Sequence, residues 1–229
     1  MSYYINLSIL SNDQKDTDRA ERQKNLSVEA RRILSVCEGR PITEDDIARE
    51  AAGRPFFLNH DTDFSISHSG FLTAVSLVKG KNLRTGCDVE LIRPRAKARE
   101  IAEEFFSAPE RDYVEAEGHF NETRFYEIWT LKECFLKLRG LSVFDMTNAP
   151  SFISGEGAYT FGAVSSSAVS FNLYELTGSG YEHYMLATAI EGTEYKHEIR
   201  WFSQASLDCK SIAKIKAAPN PAETVSPKI

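Results

Sequence analysis

The sequence predicts an α+β fold in which helices and then strands occur in two successive rounds. Apolar residues at helical spacing occur at residues 28–36, 99–106 and 123–139. Short alternating runs typical of strands occur at residues 64–78 and 152–190. With 229 residues, of which 42% are hydrophobic, the chain can bury a substantial core as one large domain or two small ones.

The first half of the chain predicts a strand, a helix and then a pair of strands. Residues 3–10 predict the opening strand, and residues 28–36 predict the helix. Thr43, followed by acidic residues, is typical of the N-terminus of another helix. Residues 64–67 and 73–78 predict two strands, and the segment between them fits either a hairpin or a strand-to-helix turn.

The second half begins with a strand and is dominated by one long helix. Residues 85–90 predict the strand, and Ser107 and Glu110 have the spacing of a capping box that starts a short helix. Residues 123–139 predict the long helix, which ends at Gly140 because glycine suits the left-handed position after a helix. Its expected core stripe consists of Ile128, Leu131, Phe135 and Leu138.

Beyond the long helix the pattern changes to short alternating runs. Residues 152–190 are interrupted by Gly and Ser and predict a β-meander. Residues 206–229 end in a Pro- and Ala-rich stretch and are expected to be a disordered tail. We therefore expect an N-terminal α+β half at residues 1–84 and a C-terminal α+β half at residues 85–205.

Four charged residues stand out as candidates for chemistry. Asp88 and Glu90 lie two apart on a predicted strand, so they share one face of it. Glu133 and Lys137 lie four apart on the long helix, so they share one stripe. Three carboxylates and a lysine that converge would suit a divalent cation bound to a phosphate, because Mg²⁺ prefers a few carboxylates, water and substrate phosphates.

Each of these pairs also has an ordinary structural explanation. An acidic pair on a strand is usually a solvated face, and Glu133 with Lys137 is a common ion pair within a helix. Trp129 lies on the same stripe as Glu133, however, which is unusual for a solvated face. The stripe is therefore expected to pack against another element.

His68 lies in a Ser-His-Ser-Gly run that offers several donors and a close backbone approach to an anion such as phosphate. Ser67 and His68 are poorly placed as a nucleophile and its base, because neighbours on a strand point to opposite faces. Residues 93–99 form a basic run whose simplest explanation is a solvated loop. Its functional alternative is a docking site for an anionic ligand or an acidic partner.

Composition and simple sequence patterns argue against several classes of protein. The net charge of -6 argues against broad binding of nucleic acid, which needs a basic face. The four cysteines include no pair at CxxC spacing and are typical of reduced thiols. The first residues lack the features of a signal peptide, and no apolar stretch approaches membrane-spanning length. We therefore expect a cytoplasmic protein that does not bind a membrane.

Five short runs occur in a fixed order along the middle of the chain. They are Gly-Arg-Pro at residues 53–55, Phe-Ser-Ile-Ser-His-Ser-Gly at 64–70, Gly-Cys-Asp-Val-Glu at 86–90, Phe-Phe-Ser at 105–107 and Trp-Thr-Leu-Lys-Glu-Cys-Phe-Leu-Lys at 129–137. Together they resemble the 4′-phosphopantetheinyl transferases of the surfactin-synthetase type. The resemblance implies transfer of the phosphopantetheine arm of coenzyme A to a serine of a carrier protein, with release of adenosine 3′,5′-bisphosphate. It also implies a pseudo-twofold pair of α+β halves, the first on the side of the coenzyme A 3′-phosphate and the second with the catalytic groups.

The resemblance further implies roles for individual residues. Its magnesium ligands fall on Asp88, Glu90 and Glu133, and its catalytic residues on Glu133 and Lys137. The implied coenzyme A contacts are Arg22, Arg54, Ser67, His68, Lys132 and Lys137. His68 would face the 3′-phosphate, and either Glu133 or a bound water would take the proton of the serine.

Some positions depart from the family pattern. The chain before residue 53 is shorter than in typical members, so Arg22 is the best choice for the 3′-phosphate, ahead of Arg19 and Lys24. Arg54 stands where lysine is common, which keeps the charge but changes the geometry. Glu110 falls at a further acidic position of the family, to which we assign no role from the sequence.

We therefore expect a monomeric, magnesium-dependent transferase that acts on an acyl or peptidyl carrier protein, which the basic run could help to dock. One alternative is a hydrolase of coenzyme A or nucleotide pyrophosphates, which would turn over without a carrier protein. A second is a non-catalytic relative that binds coenzyme A or a carrier protein. A member of that class would be expected to lack one of the carboxylates or the lysine, and all four are present.

Overall fold

A computed structural model gives the arrangement of the chain for residues 3–58, 61–115, 118–154, 158–160, 168–178, 182–191, 197–203 and 206–217. The helices are α1 (Asn12–Lys15), α2 (Arg19–Glu38), α3 (Ala98–Phe105), α4 (Ala108–Val114) and α5 (Glu122–Arg139). The strands are β1 (Tyr3–Ile9), β2 (Ile47–Arg49), β3 (Pro55–Phe57), β4 (Thr62–Ser69), β5 (Leu72–Lys79), β6 (Thr85–Leu91), β7 (Val169–Thr177), β8 (His183–Glu191), β9 (His197–Trp201) and β10 (Asp208–Ala217). The predicted α+β class is confirmed.

The strands form two four-stranded sheets and one small ribbon. The first sheet has the order β4-β5-β1-β9, and the second has the order β10-β7-β8-β6. The ribbon pairs β2 with β3. Among the pairs described, β1 and β9 run parallel and the others antiparallel.

No helix in the described part of the chain is long and apolar enough to cross a membrane.

The two larger sheets pack face to face, and helices cover the outer face of each, as expected of layered domains. Leu7 of β1 and Val89 of β6 belong to one buried cluster between the sheets. Tyr3 crosses this interface, because its hydroxyl donates to the carbonyl oxygen of Ala189 in β8 at 3.2 Å. Helix α2 packs against the outer face of the first sheet, α5 packs against that of the second, and α3 and α4 pack on α5.

Helix α5 is buried around most of its circumference rather than along a single stripe. Twelve of its 18 residues are buried, including the four of the predicted stripe and also Trp129. Gly86 allows this depth, because a Cβ there would lie 2.5 Å from the carbonyl oxygen of Cys134. The helix ends as predicted, since Gly140 adopts a φ of 66°.

Two predictions about the ends of elements were wrong. Thr43 does cap, but the element that it starts is a single 3-10 turn, Glu44–Asp46, which leads into β2. The segment expected to be a disordered tail contains β10, which pairs with β7. The rest of that expected tail, residues 218–229, lies outside the described residues.

The strand pairing decides between the hairpin and the strand-to-helix turn that the sequence left open. It also changes the expected division of the chain into two halves. Residues 64–78 form a hairpin, because Ser69 of β4 pairs with Leu72 of β5. Of the predicted meander, β7 and β8 form an antiparallel pair, while residues 155–157, 161–167 and 179–181 lie outside the described part. Strand β9 falls within the expected C-terminal half by sequence, yet it belongs to the first sheet.

Candidate active site

Strands β4 and β6 lie side by side at the meeting edge of the two sheets, and serine side chains of β4 join them. They are not neighbours in either backbone ladder. Instead the Ser65 hydroxyl accepts from the amide of Cys87 at 3.1 Å, and the Ser69 hydroxyl accepts from the amide of Leu91 at 3.0 Å. Because residues two apart share one face of a strand, the alternating serines of β4 all reach β6. We call Ser65, Ser67 and Ser69 with their β6 partners the serine seam.

The carboxylate of Asp88 lies at the middle of the serine seam. It is 3% exposed, and its Oδ1 accepts from the Ser67 hydroxyl at 2.8 Å and from Nζ of Lys137 at 2.6 Å. Lys137 Nζ also donates to the Ser67 hydroxyl at 2.8 Å. Among the described residues the buried Oδ2 of Asp88 finds no hydrogen-bond partner. A buried polar atom without a partner is uncommon and indicates a position for a ligand.

Glu90 lies next to Asp88 on the same face of β6. Its carboxylate accepts from the Ser69 hydroxyl at 3.0 Å and from the Trp129 indole at 3.3 Å. Burial, and then the neighbouring charge of Asp88, raise the pKa of Glu90 above its ordinary value. Trp129 therefore faces this carboxylate, so the charged stripe of α5 packs against another element as expected, and the Arg95 guanidinium lies 5.1 Å from the ring centre of Trp129.

Glu133 and Lys137 of α5 interact electrostatically with Asp88 of β6. Burial, and then Asp88, raise the pKa of Glu133 to about 7. Burial alone would lower the pKa of Lys137, but the attraction of Asp88 and other neighbouring groups raises it above its ordinary value. The lysine is therefore charged. It contacts Asp88 directly, and Glu133 interacts electrostatically with Asp88, Lys137 and Glu90.

The donor set of this cluster fits a hard divalent cation. Two of its carboxyls have raised pKa values, and the third has a buried oxygen without a partner in the described residues, so Lys137 alone does not balance the three carboxylates. Carboxylate oxygens are the ligands that Mg²⁺ prefers. In the described part of the chain, however, no three acidic, His or Cys side chains are already grouped closely enough to hold a metal ion. Lys137 is the positive group that contacts Asp88 in this arrangement.

His68 lies on the opposite face of β4 from Ser67 and lines a separate cavity. This cavity has a volume of about 260 Å³ and is also lined by Ser27 and Arg31 of α2 and by Arg49 of β2. Burial lowers the pKa of His68. These three residues were not predicted from the sequence. Ser27 and Arg31 are four apart on one helical face, and this spacing is a signal for those two.

Arg22 is not among the residues that line the cavity of His68. Its guanidinium donates to the carbonyl oxygen of Thr17 at 3.1 Å and lies 5.1 Å from the ring centre of Phe71. The structure therefore does not bring Arg22 together with His68, and it favours Arg31 and Arg49 as the cations on this side.

Arg54 is largely buried and paired within the protein, and its contact with coenzyme A stays a prediction. Its side chain is 5% exposed and pairs with Asp63 at 2.5 Å. It also donates to the carbonyl oxygens of Thr85 at 3.1 Å and Lys137 at 2.8 Å. A guanidinium bonded in this way joins β4, β6 and α5.

Lys132 is likewise buried, at 1% exposure, and its contact with coenzyme A stays a prediction. Its ammonium lies 3.1 Å from the carboxylate of Glu110, which is fully buried. Glu110 forms the predicted capping box with Ser107 and also accepts from the amide of Phe152 at 2.8 Å. The acidic position left without a role by the sequence therefore ties α4, α5 and the segment at Phe152 together.

Comparisons with known proteins match parts of this chain, and one of them matches the part that holds this cluster. A family model of the 4′-phosphopantetheinyl transferase superfamily matches residues 84–189. The 4′-phosphopantetheinyl transferase AcpT of Salmonella typhi is 35% identical over 102 residues, which is 44% of this chain and 49% of that protein. The 4′-phosphopantetheinyl transferase psf-1 of Bacillus pumilus is 29% identical over 133 residues, which is 57% of this chain and 55% of that protein.

The chain spans about half the length of the curated relatives that it matches. The segment matched by the family model contains Asp88, Glu90, Glu133 and Lys137, together with β6, α5 and β8. The same four residues form the cluster described above. Over residues 84–189 the chain is therefore similar to the 4′-phosphopantetheinyl transferase superfamily.

Proposed function

We propose that this protein transfers the 4′-phosphopantetheine group of coenzyme A to a serine of an acyl or peptidyl carrier protein. The observation that carries the proposal is the cluster of one ammonium and three carboxylates at the serine seam, inside the segment that the superfamily model matches. The products would be the holo-carrier and adenosine 3′,5′-bisphosphate. The names of the matched relatives support the same reaction.

The two faces of β4 suit two different phosphate groups of coenzyme A. His68, Arg31 and Arg49 line a cavity on one face, and their donors suit the 3′-phosphate. Ser67 and Lys137 lie on the other face and suit the pyrophosphate. Since neighbouring residues of a strand point in opposite directions, the Ser-His pair of β4 would serve both ends of the ligand.

Asp88, Glu90 and Glu133 would hold a divalent cation, which would supply positive charge to the pyrophosphate oxygens when bound. Lys137 would stabilise the phosphate that departs as the bond between the transferred phosphorus and its bridging oxygen breaks. Either Glu133 or a water molecule would accept the proton of the attacking serine. The monomeric state and the cytoplasmic location stay predictions.

The test is intact mass spectrometry of an apo carrier protein incubated with this protein, coenzyme A and Mg²⁺. We expect the carrier to gain one phosphopantetheine group, and EDTA to prevent the gain. The Asp88→Asn variant should lose transfer while it stays folded. Glu104→Gln, which neutralises an exposed carboxylate of α3, should retain it.

Two outcomes would contradict the proposal. Release of adenosine 3′,5′-bisphosphate at the same rate without any carrier protein would instead identify a coenzyme A hydrolase. Binding of coenzyme A with no transfer to any of several carriers would favour a non-catalytic relative. Retention of most activity by Asp88→Asn would reject the assignment of the cation ligands.

A further inference from the structure

Lys137 forms an ion pair with Asp88, which is the most buried of the three carboxylates proposed to hold a cation. Its Nζ lies 2.6 Å from Oδ1 of Asp88 and 2.8 Å from the Ser67 hydroxyl. The Ser67 hydroxyl in turn donates to the same Oδ1 at 2.8 Å. Lys137, Ser67 and Asp88 therefore form a closed triangle of hydrogen bonds.

This triangle is hard to reconcile with simultaneous binding of a second cation. The oxygen of Asp88 left without a partner, Oδ2, belongs to the same carboxylate that Lys137 already neutralises. A divalent cation on Oδ2 would lie close to the ammonium, and two positive charges in a largely buried site repel strongly. Asp88 can serve as a full ligand when Lys137 has moved away.

We propose that Lys137 closes the cation site of the free protein, so that its ammonium and a divalent cation compete for Asp88. The inference rests on the cation ligands of the proposed function and gives Lys137 a role that precedes its part in the reaction. Lys137 would leave Asp88 when a substrate phosphate offers it another negative partner. Entry of the cation would then be coupled to arrival of the phosphate.

The backbone around Lys137 allows this exchange without movement of the helix. Arg54 donates to the carbonyl oxygen of Lys137 at 2.8 Å, and Gly140 ends α5 one turn later. The long side chain of lysine can rotate while its backbone stays anchored. The exchange therefore requires a change of side-chain conformation and leaves the packing of α5 on β6 intact.

The test is calorimetric titration of the full chain with Mn²⁺ or Mg²⁺ in the absence of coenzyme A. Lys137→Met should bind the cation at least about tenfold more tightly than the unmodified protein, because the competing charge is gone. Lys214→Met is the matched control, since it removes one positive charge from exposed β10. It should leave the affinity within about twofold because solvent and salt screen a distant charge.

A second variant controls for a folding defect in Lys137→Met, because that substitution leaves Asp88 without its charged partner. Lys137→Gln also removes the charge but keeps a side-chain donor for Ser67 and Asp88, and it should show the same gain in affinity. Adding Asp88→Asn to either variant should abolish the gain. A gain that survives this second substitution would overturn the proposal, because the cation would then bind elsewhere.

The proposal would also be overturned if both Lys137 variants bind the cation no more tightly than the unmodified protein does. The same holds if none of the proteins binds the cation. The carrier-modification assay separates this failure from failure of the proposed function. If the unmodified protein modifies the carrier but the variants gain no affinity, the competition is rejected and the transferase stands. If the variants gain affinity but no carrier is modified, the competition stands and the transferase is rejected.

Discussion

At the scale of single residues, Glu133 makes the stability of the free protein depend on pH. Its pKa is raised from 4.5 to about 7, first by burial and then by Asp88. The folded state therefore binds a proton more tightly than the unfolded state. The resulting stabilisation is fully present below about pH 4.5 and is lost as the pH rises through about 7.

We therefore expect Glu133→Gln to raise the free energy of unfolding at pH 8 by about 1–3 kcal/mol, with a smaller effect at pH 5. Urea denaturation without divalent cations at both pH values measures the difference. Glu104→Gln provides the comparison at an exposed carboxylate. An effect of Glu133→Gln that is equal at both pH values would contradict the expected ionisation.

Lys132 should matter for stability rather than for binding of coenzyme A. Lys132→Met removes the partner of the fully buried Glu110, and breaking a buried pair in this way costs about 3–5 kcal/mol. Urea denaturation measures this loss, and the KM for coenzyme A of the folded fraction should stay within about twofold. A large rise in KM with little loss of stability would restore the role that the sequence implied.

The predictions for single residues succeeded where local periodicity decides the outcome. Asp88 and Glu90 share a face because they are two apart on a strand, and Glu133 and Lys137 share a stripe because they are four apart on a helix. The burial of Lys132 depends instead on its pairing with Glu110 in another helix. No spacing in the sequence indicates that such a charge will be buried, so its position could not be predicted.

At the scale of elements, Arg54 should hold the end of α5 against β4 and β6. Arg54→Lys keeps the charge, but one ammonium cannot reproduce the planar fork that reaches Asp63, Thr85 and Lys137. We expect a loss of about 2–3 kcal/mol in the free energy of unfolding by urea. Lys81→Arg in a neighbouring turn is the reverse exchange and should change stability little. A fully stable Arg54→Lys protein would show that the fork is dispensable.

Elements were predictable where their ends carry their own signals. The capping box of Ser107 and Glu110 and the glycine after α5 appear in the structure as the sequence indicates. Thr43 has an equivalent cap, but only three residues follow before the chain becomes extended. Strand β10 lies at the edge of its sheet and carries exposed lysines, which protect an edge from aggregation and resemble a disordered segment in composition.

At the scale of the whole molecule, the two sheets should unfold together. They share a buried cluster and the serine seam, so neither retains its core when the other is lost. The two tryptophans report on them separately, since Trp129 lies on α5 and Trp201 on β9 of the first sheet. Fluorescence of the Trp129→Phe and Trp201→Phe variants should give unfolding midpoints in urea that coincide with those from circular dichroism of the same variant. Two separated transitions within one variant would reveal independent halves.

The arrangement of the layers could be predicted only in part. Alternating and helical runs gave the α+β class, because each pattern is local. The parallel pairing of β9 with β1 joins segments that are almost the whole chain apart, so no local signal places β9 in the first sheet. The apolar pattern of a strand indicates that it will be buried, but not which strand it will accompany.

The tyrosine that spans the two sheets sets an alkaline limit for the protein. Burial raises the pKa of Tyr3 far above its ordinary value of 10, so its phenol cannot ionise while the sheets are together. In the unfolded chain the same phenol ionises near pH 10, and the stability that it contributes is lost as the pH rises beyond that point. The part of the ultraviolet phenolate absorbance that a Tyr3→Phe variant lacks should therefore appear together with the loss of folded structure, rather than before it, when the protein is titrated with base.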